Sequence, residues 1–127
     1  MLSAAKGRMN ATPRPSPLNV YKLMLVTLRE IRPLLPKIAR HDRDLADQLK
    51  RAASSVVLNL AESEGVSGGN RVLRRRTALG SLYEVRGALD VAVGLGYLDA
   101  AEAAKADELA YAVGGMLHAL VRQRVSA

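Results

Sequence analysis

From Leu18 onward apolar and polar positions alternate with a three-to-four-residue step, which predicts helices along the whole chain. Tyr21, Met24, Leu25, Leu28, Ile31 and Leu35 fall on one face of a first helix. Pro33 and Pro36 kink or end it between Arg32 and Arg40, because proline lacks an amide proton and disfavours helical backbone in the residue before it. A second helix starts near Asp42 or Asp44, either of which can cap it. Its stripe is Leu45, Leu49, Ala52, Val56 and Leu60, and it stops around Gly65 before the turn GVSGGN. Asn70 is the expected cap of a third helix that runs to Gly94 or Gly96, with Ala78, Leu82, Val85, Leu89, Ala92 and Val93 inward. After GYLD, Asp99 caps a fourth helix through about Arg124, burying Leu109, Val113, Met116, Leu117, Leu120 and Val121. Short turns make sequential helices antiparallel neighbours. The expected fold is all-α, an antiparallel up-down-up-down four-helix bundle over residues 18–124. Residues 1–17, with three prolines, read as a disordered basic tail.

The second helix breaks the usual pattern. From Ala52 to Ala61 it carries no charge, yet Ser54, Ser55 and Asn59 interrupt the apolar run. At 100° per residue, Gln48, Arg51, Ser55, Asn59 and Glu62 form a polar seam beside the main stripe. Behind the seam lie Ser54, Val57, Leu58 and Ala61, small or apolar. A seam with apolar surface on both sides is expected to be buried, and buried polar groups need partners, since an unpaired one costs about 1–3 kcal/mol. Glu84 on the third helix is the expected partner of Arg51, and Ser81 of Asn59. On that helix Gly80, Gly87 and Gly94 recur at seven residues and share a face. Each costs roughly 0.8–1 kcal/mol in a helix interior relative to alanine, so Gly80 and Gly87 are read as points of close backbone approach. Two helices whose backs are unsuited to water predict self-association.

Composition narrows the picture. The 127 residues suffice for one domain, and a core without Phe or Trp must be made of Leu, Val, Ala and Ile. The lack of cysteine removes disulfides and thiolate metal sites. No apolar run approaches the roughly twenty residues of a membrane span, and the amino-terminal stretch has no secretory apolar core. The expected compartment is the cytoplasm. Lys and Arg number 19 against 12 Asp and Glu, a formal charge of +7, which suits polyanion partners or serves solubility.

Three segments resemble a known family. Gln48 to Glu62, QLKRAASSVVLNLAE, resembles Q-L-R-R-A-A-x-S-I-x-x-N-I-A-E-G, the hallmark of helical proteins first noticed as reading frames inside 23S rRNA intervening sequences. ALGSLYE (residues 78–84) and LGYL (residues 95–98) resemble the family elements A-x-G-S-L-x-E and L-G-Y-L, in the expected order. The chain departs at Ser63, where the family has glycine, and at GVSGGN, which replaces a basic turn. The resemblance implies a four-helix bundle assembled as a ring-like homopentamer. It also implies kinship with the accessory variability protein of diversity-generating retroelements, with nucleic acid and a reverse transcriptase as partners.

Catalytic chemistry has little to stand on. His41 and His118 lack a second ligand at metal spacing, and the Glu-x-x-His pairs of di-metal bundles are missing. GVSGGN lacks the Gly-Lys-Ser/Thr ending of a phosphate loop. The expectation is a protein without enzymatic activity, cofactor or metal. The candidate nucleic-acid-binding residues are Arg71, Arg74, Arg75 and Arg76, crowded at the start of the third helix where they oppose its dipole by about 0.3–1 kcal/mol each when exposed. Glu62 and Glu64 compensate them, or an anionic partner does; Lys6, Arg8 and Arg14 would add phosphate contacts from the tail. The competing reading is a protein-interaction module with no nucleic-acid ligand.

Overall fold

The computed structural model describes residues 15–123 and holds five α-helices and no strand among them. Helix α1 spans Pro17–Ile31, one residue earlier than Leu18. Ser16 Oγ accepts the Asn19 amide at 3.1 Å, and Pro17 takes the first helical position, where its missing donor costs nothing. Residues 1–14 of the expected tail, and Arg124, lie outside the described residues.

Pro33 and Pro36 end α1 and start the short α2, Leu34–Ala39. Helix α3, Arg43–Ser63, is capped by Asp42, whose Oδ1 accepts the Leu45 amide at 3.0 Å. Helix α4, Gly68–Gly94, has Ser67 as its N-cap and not Asn70. The turn is shorter than expected because Gly68 adopts φ +59 and the Arg71 Nε–H donates to the carbonyls of Ser63 and Val66, both at 3.0 Å. The last carbonyl of α3 and one carbonyl of the turn are thereby satisfied by the first turn of α4. Gly96, at φ +80, lets the Tyr97 amide reach Ala92 O at 2.8 Å, a reversed cap that stops α4. Helix α5 covers Ala100–Arg122.

Helix α3 packs on α4, α4 on α5 and α5 on α1, while α1 and α2 both lie on α3. The predicted stripe of α3 is wholly buried, as are Ala78, Leu82, Val85, Leu89 and Ala92 of α4. On α1 the buried face is turned from the predicted one: Val20, Met24, Thr27 and Ile31 are inside, and Tyr21, Leu25 and Leu28 are half-buried. Thr27 belongs there because its hydroxyl donates to Leu23 O at 2.8 Å and leaves its methyl to the core. Ser63, at the position where the resemblance expects glycine, is fully buried and donates to Leu60 O at 2.7 Å.

Lys37 of α2 forms an ion pair with Glu102 of α5, and Glu102 also accepts the Asp99 amide at 2.9 Å. Those two hydrogen bonds, the Lys37 one foremost, hold its carboxyl below the ordinary glutamate range. A carboxyl with a lower pKa folded than unfolded binds fewer protons in the native state, so it adds stability that grows with pH. The contribution is complete above about pH 5 and fades as pH falls below about 4. Glu102→Gln keeps the cap hydrogen bond and removes the titration. Urea midpoints of variant and wild type are therefore expected to differ at pH 7 and to draw together as pH falls through the acid range; a difference that does not shrink on acidification would count against this.

Candidate nucleic-acid interface

The four arginines at the start of α4 do not form one open patch. Arg71 is spent on the turn carbonyls. Arg74 Nη1 lies 3.3 Å from Glu62 Oε1 and 3.5 Å from Asn59 Oδ1. Arg75 is mostly covered and faces Glu64 at 3.7 Å. Arg76 alone of the four is exposed without an ion pair or hydrogen bond to another described side chain. The acids at the end of α3 thus answer the cations that oppose the α4 dipole, and two of the four charges are locally neutralised.

Freer cations lie on the other side of α3. A groove of about 300 Å³ between α1 and α3 has an apolar floor that includes Leu28, Ile31 and Ala53 and is edged by Arg29, Arg32 and Lys50. No acidic residue lines it, and all three cations are exposed without an ion pair to a described residue. Lys50 and Ser54 also line an adjoining groove of about 670 Å³ that continues across α3 past Leu58 to Arg51 and Arg74. Glu62 also lines that second groove and takes up Arg74, so the free cations on this face of α3 are Lys50 and Arg51, beside Arg29 and Arg32. The cations of the first groove were missed because Arg29 and Arg32 stand about twenty positions from Lys50, and only the packing of α1 on α3 joins them. The one local signal is the i, i+3 spacing of the two arginines.

The polar seam is divided in two. Asn59 Nδ2 donates to Ser55 O at 2.9 Å and to Ser55 Oγ at 3.1 Å, and Ser55 Oγ shares a hydrogen bond with Ser81 Oγ at 2.7 Å. The expected Asn59–Ser81 pair is thus relayed through Ser55, which the shorter reach of two serines favours. With Arg74 and Glu62 this half of the seam is satisfied within the chain. At the other half Gln48, Arg51 and Glu84 are exposed, and Arg51 and Glu84 edge one α3–α4 groove of about 550 Å³ without forming the expected ion pair. Within one chain only Ser81 of the seam is buried, with Ser55 and Asn59 half-buried. Gly80 and Gly87 also face outward, and a Cβ at either would meet nothing within 4 Å. No neighbouring helix of the same chain uses the close approach they permit.

No helix among the described residues is long and apolar enough to cross a membrane, and no group of three His, Cys, Asp or Glu is placed to hold a metal. His41 instead stacks on Tyr97, with ring centroids 5.1 Å apart, and pins the α2–α3 corner to the α4–α5 corner.

No curated protein matches the chain. A solved structure of a protein of unknown function from the S23 ribosomal protein family of Bacteroides thetaiotaomicron is similar to it, with a TM-score of 0.73 over 82% of this chain and 99% of that one. At 15% identity this likeness bears on the fold alone. Residues 17–119 match the family described as 23S rRNA-intervening sequence protein, from the first residue of α1 into the last turn of α5. On that match, the chain belongs to the 23S rRNA-intervening sequence protein family.

Proposed function

We propose that the chain acts without catalysis, as a self-associating helical unit that binds RNA or DNA through its basic surface in an accessory or scaffolding role. The observation that carries this reading is the acid-free groove edged by Arg29, Arg32 and Lys50. Three cations around a shallow apolar floor suit a phosphate backbone, which supplies affinity without reading sequence. Arg76 extends the positive surface beyond the groove. In this reading α1 with α2, α3, α4 and α5 make the four antiparallel rods of an up-down-up-down bundle. Family resemblance extends the proposal to a ring of five copies, to kinship with the retroelement accessory proteins and to a reverse transcriptase partner. Repeating a modest patch around such a ring would multiply its grip on one polyanion.

The test is a titration of labelled RNA and of labelled DNA against salt, with the mass of the free protein read by light scattering. Binding at about 50 mM salt that weakens steeply as salt rises is expected. So is a mass well above the 13.6 kDa of one chain at micromolar concentration. No binding at low salt ends the nucleic-acid reading, and a monomer mass ends the assembly reading.

A second reading, a protein-interaction module, is favoured by Tyr83 and Tyr111. They are 51% and 67% exposed on α4 and α5, and the Arg86 guanidinium sits 5.0 Å from the Tyr111 ring. Tyrosine and arginine anchor many protein interfaces. Absence of nucleic-acid binding by an assembled protein would leave this reading standing.

A further inference from the structure

The groove between α1 and α3 has two parts, and phosphate alone uses one of them. Arg29 and Arg32 stand on its α1 side and Lys50 on its α3 side. The floor between them is aliphatic: Leu28 and Leu35 are half-buried, and Ile31 and Ala53 are each 1% exposed. The hollow is open because α3 carries small residues here. Ala53 and Ser54 are too short to fill the space that Leu28 and Leu35 border.

A duplex keeps its bases paired and stacked, so it would offer this groove phosphate and sugar and leave the apolar floor uncovered. An unpaired nucleotide meets both parts. Its base can turn down onto the floor while the phosphates before and after it reach cations on the two sides. Guanidinium planes at the rim also stack on bases, a surface otherwise missing from a groove with no aromatic residue. The floor has little with which to read a base edge or a sugar hydroxyl. Its side chains are aliphatic, and the one hydroxyl beside them, that of Ser54, donates its proton to Lys50 O at 2.9 Å. A volume of about 300 Å³ is at the small end for ligand pockets. It suits one flat ring better than the several side chains that an amphipathic helix lays into a groove.

We propose that the α1–α3 groove takes one unpaired nucleotide of an RNA or DNA strand, with the base on the aliphatic floor and the flanking phosphates on Arg29, Arg32 and Lys50. The protein then holds single strands in preference to duplex, without reading their sequence. The proposal rests on the nucleic-acid reading and names the strand state that this reading leaves open.

Four labelled probes of about 16 nucleotides test it on the full chain: oligothymidylate, oligouridylate, a duplex, and a wholly abasic strand that keeps its phosphates and loses every base. At about 0.15 M salt, where exposed charges are partly screened, oligothymidylate and oligouridylate are expected to bind alike. Both should bind on the order of tenfold or more tighter than the duplex or the abasic strand. Ser54→Leu fills the hollow from an exposed position, so helical content should hold. It should lower oligothymidylate affinity to that of the abasic strand and leave abasic binding as it was. Ser54→Ala removes the hydroxyl, fills nothing, and should bind like wild type.

If none of the probes binds at about 50 mM salt, the nucleic-acid reading falls, and this proposal with it. If the abasic strand binds as tightly as oligothymidylate, or Ser54→Leu leaves oligothymidylate binding unchanged, phosphate binding stands and the base site is wrong. A loss with Ser54→Ala equal to that with Ser54→Leu would show that the hydroxyl matters and the space does not, which overturns the proposal. So would an acidic amphipathic peptide that binds where no strand does and is lost with Ser54→Leu, since the groove would then belong to a protein partner.

Discussion

Replacing Arg29, Arg32 and Lys50 together by alanine is expected to weaken binding of a labelled single-stranded RNA by on the order of a hundredfold at about 50 mM salt, and to flatten the salt dependence. The magnitude follows from counterion release. Each phosphate contact on a single strand contributes a slope of about 0.7, so three contribute about 2. Between 1 M and about 50 mM salt that slope amounts to two to three logarithmic units of affinity. The three side chains are exposed and edge a groove without an acidic residue, so their charge is available to a ligand and their loss leaves the core intact. The control is Arg74→Ala with Arg75→Ala. These guanidiniums already face Glu62 and Glu64, and their removal should alter the slope much less. A groove variant that binds RNA with the slope of wild type would remove the basis for placing the interface there.

The second large effect is on stability. Leu82 is fully buried on α4 and packs against Gly114 of α5, where a Cβ would stand 3.3 Å from Leu82 Cδ2. Leu82→Ala is expected to cost about 2.7–5 kcal/mol, the lost burial plus the cavity left behind. That is a large part of the roughly 5–15 kcal/mol that holds a domain folded. Gly114→Ala separates packing from propensity. Alanine is favoured over glycine in a helix by about 0.8–1 kcal/mol, but in wild type the new methyl crowds Leu82 and offsets the gain. In the Leu82→Ala background the methyl has room, so the same change should recover about 1 kcal/mol. Urea unfolding of the four proteins at one protomer concentration measures the coupling. Equal gains from Gly114→Ala in both backgrounds would show that the two positions do not press on each other.

The contrast between α1 and α3 shows how far a periodic pattern can be read. On α3 the stripe from Leu45 to Leu60 keeps a regular step of three or four residues, and its burial follows directly from that step. On α1 the run Leu23–Val26 is apolar almost all round, so the pattern permits several orientations, and contact with α3 and α5 selects the one that buries Val20 and Thr27. The start of α4 went astray for a different reason. Asn70 is a competent cap, yet α4 begins before it, after a Ser67 that makes no capping hydrogen bond, with the Arg71 side chain reaching back to Ser63 and Val66.

Local order was therefore legible from residue spacing: helices bounded by Asp42, Asp99, Gly96 and the prolines, an inward stripe on α3, α4 and α5, and an α3 with too little charge on its back. Those features depend on neighbours within a turn or two, where backbone sterics and side-chain caps act. Which charges are free and which are spent was decided only when the chain closed up. Arg74 and Arg75 look like an open cluster along the chain and are answered by Glu62 and Glu64 across a turn, while Arg29, Arg32 and Lys50 look scattered and meet across a helix interface. A charge acts through distance in space, and the rotation of one helix against another, which sets that distance, is fixed by the summed packing of the core and not by any local run of residues.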